Sequence, residues 1–176
     1  MRARGPAILV VAGALALTSC GGSSGGTSSG KASTRSAGDS STAIASGTLE
    51  QSARAALIGN AKVAIYVLWH NTLPPWASRS TAGPALTSLR SAAATRRNRG
   101  IRVRMITNSR RISQLQLDPS YMTATAVIVD RQRVQPTHVN GQVFGKPVVL
   151  NERARVELRR VGKGTRFLVW RVTLLR

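Results

Sequence analysis

Arg99-Gly100-Ile101-Arg102-Val103-Arg104-Met105 is the stretch at which the chain changes period. Ahead of Gly100 apolar residues recur at helical spacing. Beyond it Ile101, Val103 and Met105 alternate with Arg102 and Arg104, the pattern of a strand with one apolar and one cationic side. Gly100 sits where a helix that ends in basic residues takes its C′ glycine. The segment therefore predicts helices first and strands afterwards, an α+β arrangement.

Upstream, the spacing predicts a second helix opening near Pro84, with Leu86, Leu89 and Ala93 as its apolar stripe. Arg96, Arg97 and Arg99 fall in or beside its last turn, where positive charge is favourable. A first helix is predicted from Thr48, with Thr48 and Gln51 spaced as a capping box. Leu49, Ala53, Leu57, Ala61, Ile65 and Trp69 recur every four residues along it. Gly59-Asn60 interrupts that pattern at a cost of about 1 kcal/mol for the glycine, and Pro74-Pro75 bounds it.

Downstream, Ile112 to Leu117 reads as a second short strand, closed by Asp118-Pro119. Tyr121 to Val134 is a long third strand. Val148 to Val161 alternates Ala154, Val156 and Leu158 with Arg153, Arg155, Glu157 and Arg159. Asn140-Gly141 and Gly162-Lys163-Gly164 mark turns, the latter leading into a last strand over Arg166 to Leu175. The fold expected is α+β, with N-terminal helices packed on a curved antiparallel sheet of about five strands.

The N-terminus carries a different signal. Arg2 and Arg4 precede an apolar core from Ala7 to Leu17, too short for the 20 or so residues that span a bilayer. It closes on Leu17-Thr18-Ser19-Cys20, which resembles the bacterial lipobox. That resemblance implies a signal peptide over residues 1–19, cleavage before Cys20, and a diacylglyceryl anchor on Cys20. It implies a lipid-anchored location on the extracytoplasmic face of the cell membrane. Residues 20–47 continue as Gly, Ser, Thr and Ala, a composition read as a disordered linker of roughly 30 Å average span. Residues 48–176 are the expected folded domain. Cys20 is the sole cysteine, so that domain has no internal disulfide available.

The order of elements in residues 48–176 resembles the nuclear transport factor 2-like superfamily, in which a long N-terminal helix lies in the concave side of a cone-shaped sheet. The closing strand, Arg166-Phe167-Leu168-Val169-Trp170-Arg171-Val172, is similar to the last strand of many such domains. That superfamily includes isomerases, dehydratases and non-catalytic domains, so the resemblance implies an architecture and leaves function open.

Composition narrows the function classes. The formal net charge is +20, and 22 of the 26 basic residues are arginine, a skew typical of GC-rich genomes. Base composition can choose Arg over Lys; it does not account for there being only six carboxylates. A field of this sign attracts polyanions and anionic membranes. On alternating strands Arg102 and Arg104 share a side, as do Arg131 and Arg133, and as do Arg153, Arg155 and Arg159. Export and the scarcity of aromatic residues argue against nucleic acid. Anionic lipids, wall polymers or another envelope protein are the partners expected. His70 and His138 are far apart and Cys20 is committed to lipid, so no metal site or cofactor is expected.

A catalytic reading would draw on Tyr66 and His70, which share a helix face, with Asp118, Tyr121 and Asp130 in or beside strands. These positions match no enzyme motif of the superfamily. The plainer reading makes Tyr66 a core aromatic, Asp118-Pro119 a turn, and Asp130 a partner of a basic neighbour. The function expected is a non-catalytic binding or accessory domain at the cell envelope; the alternative is a small-pocket enzyme or ligand carrier of the same fold.

Overall fold

The structure, a computed structural model, describes residues 39–175. The predicted signal peptide, Cys20 and most of the predicted linker lie outside the described residues. Helix α1 spans Asp39–His70 and helix α2 spans Gly83–Asn98, with a short 3-10 helix at Ala77–Arg79 between them. Four antiparallel strands follow: β1 (Ile101–Leu117), β2 (Thr123–His138), β3 (Val148–Arg160) and β4 (Phe167–Leu175), paired in chain order. The protein is thus α+β, two helices packed on one antiparallel sheet.

The sheet has four strands where five are predicted, because β1 runs unbroken through Thr107-Asn108-Ser109. That polar segment pairs with Gln132, Arg131 and Arg133 of β2 through its backbone, which has no need of apolar side chains. Register shifts between Met105 and Thr107 and between Ile112 and Gln114 each insert one residue. Each insertion reverses which residues face the helices, so a single strand reads as two with a gap.

α1 begins at Asp39, not Thr48, so Thr48 lies inside the helix and the capping box does not start it. The helix reaches back into the Gly/Ser/Thr/Ala segment, since extension adds a hydrogen bond per residue fixed once a helix is nucleated. Leu49, Ala53 and Leu57 are buried as expected. Farther along, Val63 and Val67 are buried, while Ala61, Ile65 and Trp69 are only half-buried. A stripe spaced every four residues precesses by about 40° per step, so it drifts off the core-facing line.

The main core places Leu49, Ala53, Ala56 and Leu57 of α1 against Ala124, Ala126 and Ile128 of β2, Ala154, Val156 and Leu158 of β3, and Phe167 and Val169 of β4. Alanines on both surfaces let the helix lie close to the sheet. A second cluster joins Val63 and Val67 to Leu89 and Ala93 of α2. Gly59, which reads as a helix defect, is where Ser80 abuts α1: a Cβ there would stand 2.6 Å from the Ser80 Cβ. Next to it Asn60 donates to Thr81 Oγ1 at 3.0 Å.

The basic end of α2 serves α1 as well. Arg96, buried, donates to the Val67 carbonyl at 3.2 Å and to Asn71 Oδ1 at 3.3 Å, and Arg97 donates to the Asn71 carbonyl at 3.0 Å. Two cations thus satisfy orphan acceptors at the α1 C-terminus. Gly100, at φ +65°, takes the left-handed turn out of α2 and leads into β1.

Candidate functional site

Alternation along β2 and β3 sorts charge by sign. The even-numbered residues from Ala124 to Val134 and from Leu150 to Leu158 face the helices; the odd-numbered ones face away. Arg131 and Arg133 of β2 and Arg153, Arg155 and Arg159 of β3 are exposed on that outer face, as the alternation predicts. Arg111, paired with Val129, and Arg171, paired with Glu157, join them from the flanking strands. Both escape the sequence reading because they lie next to register shifts. Their alternation with Ile112 and Val172 is the local trace they leave.

Successive outward arginines on one strand are about 7 Å apart and those two strands apart about 10 Å. Seven exposed arginines therefore share the face with one carboxylate, Glu157, which sits 3.8 Å from Arg171. Arg159 is steadied by the Trp170 ring, its guanidinium 4.1 Å from the ring centre.

Asp130 of β2 and Glu152 of β3 point the other way. Asp130, buried, is gripped by Arg110 across the β1–β2 ladder, Nε to Oδ1 at 2.7 Å and Nη2 to Oδ2 at 2.5 Å. The expectation that Asp130 pairs with a basic neighbour holds, but the neighbour is Arg110, twenty residues away, not the adjacent Arg131. Arg110 also reaches the Leu57 carbonyl of α1 at 3.4 Å. Directly opposite Asp130 on β3 is Glu152. Burial, and then the Asp130 charge, push the Glu152 carboxyl up, while Arg110 pulls it partly back.

A carboxyl whose folded pKa lies above its unfolded value binds its proton more tightly in the folded state. Its favourable contribution is present at low pH and is lost as pH rises through the carboxylate range. Glu152→Gln should therefore raise stability at neutral pH, and the gain should fade well below the ordinary glutamate pKa of about 4.3. Denaturant melts of both proteins at the two pH values check this; a gain unchanged in acid would assign the effect to packing.

The other candidate residues do not gather. Tyr66 and His70 stack on α1 with ring centres 4.0 Å apart, and Trp76 meets Tyr66 edge-on at 6.2 Å. With Ile65, Trp69 and Met105 they line an open groove of about 460 Å³ between α1 and β1, to which Lys62 and Arg104 also contribute. Arg102 belongs here too, its guanidinium 5.8 Å from the Trp69 ring centre, so Arg102 and Arg104 stand apart from the outer-face arginines. Asp118 is at the far end of β1, where its carboxylate accepts from the Ser120 N–H at 2.9 Å and the Ser120 hydroxyl at 2.5 Å. Those bonds hold it below the usual range. Tyr121, at φ +56°, closes that same turn and packs against the main core. Among the described residues, therefore, no acid lines the groove beside Tyr66 and His70, as the proton-abstraction reading would require. Among the described residues no group of three metal-ligating side chains occurs, and no helix is long and apolar enough to cross a membrane.

No family model and no curated protein matches this chain. Among solved structures, the crystal structure of the intermembrane space region of the chloroplast protein ARC6 is similar, with a TM-score of 0.53 at 11% identity. The match covers 72% of this chain and 95% of that one. What the two share is the fold. At this identity nothing about chemistry passes from one to the other.

Proposed function

We propose that this chain is a lipid-anchored extracytoplasmic protein whose nuclear transport factor 2-like domain works at the cell envelope without catalysis, holding anionic lipid or wall polymer on the outer face of its sheet. The observation that carries the reading is the collection of arginines from all four strands onto one exposed face, with Asp130 of β2 and Glu152 of β3 turned inward. Leu17-Thr18-Ser19-Cys20 supports the anchor, and a two-chain diacylglyceryl group on Cys20 would hold stably where one acyl chain would not. The long α1 laid across the sheet supports the superfamily assignment.

Near an anionic surface each basic side chain contributes on the order of 1 kcal/mol. Replacing Arg153, Arg155 and Arg159 together with Gln should cost about 3 kcal/mol, a loss of more than about a hundredfold in binding to anionic vesicles. Replacing Arg54, Arg79 and Arg90, all on helical elements, removes the same charge elsewhere. Binding should also weaken steeply between about 0.1 M and 1 M salt, as the Debye length falls from about 10 Å to 3 Å. Equal losses from the two triple variants would show that total charge alone matters, and the proposal would fail.

A further inference from the structure

The groove between α1 and β1 is lined by residues at the rim of the cores: Tyr66 and Trp69 stand outside the buried clusters, while Trp76 and Met105 each rest one side on a cluster and turn the other to the groove. The chain has seven aromatic residues of the Phe, Trp and Tyr type, and three of them, Tyr66, Trp69 and Trp76, stand half-exposed at this one place. The main core meanwhile is filled largely by Ala, Val and Leu. Tyr, Trp, Met and Arg are the types enriched where proteins bury surface against partners, and half-exposed aromatic rings of this kind act as binding hot spots. The groove is also too open to enclose a small molecule on most sides, as small-ligand sites do.

Its charge says what chemistry fits. Lys62 and Arg104, both exposed, line it with His70 beside them, and among the described residues no carboxylate lines it. Arg102 adds a further cation over Trp69, with its Nε buried and without a hydrogen-bond partner. A second copy of this chain offers no complement. It has six carboxylates in all, no two of them closer in sequence than Glu152 and Glu157, which both stand in β3. Glu50 is paired with Arg54, Asp130 with Arg110 and Glu157 with Arg171.

We infer that this groove docks an acidic segment of a different protein, one that carries large apolar side chains between its carboxylates. The apolar residues enter among Tyr66, Trp69, Trp76 and Met105, while the carboxylates meet Lys62 and Arg104. This site is separate from the outer face of the sheet and does not depend on what that face binds.

The test uses synthetic peptides in which net charge (acidic, neutral, basic) and large apolar anchors are varied independently. A Trp170→Phe background leaves Trp69 and Trp76 as the fluorescent reporters, since Trp170 lies beside Arg159 on the sheet. Acidic peptides with anchors should bind about tenfold more tightly than neutral ones at low salt. Trp76→Ala should weaken them by about thirtyfold while Trp76→Phe restores most of the affinity. Lys62→Glu with Arg104→Glu, two exposed positions that leave the core intact, should reverse the preference toward basic peptides. An unchanged preference in that double variant would overturn the inference, as would no binding by any anchored peptide. Dodecanoate filling the groove where no peptide does would make it a small-ligand site instead. Peptide affinity lost with Arg153, Arg155 and Arg159 but kept in the groove variants would move the contact to the outer face.

Discussion

Arg110→Met is expected to destabilise the protein by about 3–5 kcal/mol, the usual cost of removing one partner of a buried ion pair. That is a large share of the 5–15 kcal/mol by which domains are ordinarily stable. The cost arises because Asp130, only 6% exposed at its side chain, would keep its charge without a partner. Glu152 across the ladder would add repulsion, no longer offset by Arg110. Replacing the pair together, Arg110→Met with Asp130→Leu, should recover most of the loss, since apolar side chains of similar volume often serve as well as a buried pair. Equilibrium denaturation of the two variants decides it. A double variant as unstable as the single one would show that the pair contributes shape, and that its charge is incidental.

Phe167→Ala should cost a comparable 3–5 kcal/mol, by lost transfer energy and by the cavity left behind. Phe167 is 1% exposed at the start of β4, and its N–H donates to Ser52 Oγ of α1 at 3.2 Å. Its neighbours are mainly Ala, Val and Leu, with short side chains poorly able to close over the gap. Phe167→Leu, which keeps most of the volume, should retain the greater part of the stability. A loss below about 1 kcal/mol for the alanine variant would mean that the site collapses freely, at odds with close packing between α1 and β4.

Two kinds of information were legible in the chain and two were not. Helix or strand character depends on neighbours within a turn or a pleat, so the change of period at Gly100 and the order of helices before strands can be read residue by residue. Alternation is equally local, which is why Arg153, Arg155 and Arg159 could be placed on one side of a strand before any fold was known. Strand number and register are different, because they depend on which distant backbone groups pair. Inserted residues in β1 and β4 reverse the alternation without any change in composition, and so split one strand into two and hid Arg111 and Arg171. The partner of Asp130 lies twenty residues away, and the groove joins α1 and Trp76 to Met105, some thirty residues beyond. By itself the sequence determined the kinds of element, their order and the side that the arginines of β2 and β3 take on their own strands. Only the tertiary structure decided which strands lie side by side, and so which charges pool on one face and which are neutralised beneath it, because pairing at a distance is settled by the whole set of contacts and not by any one segment.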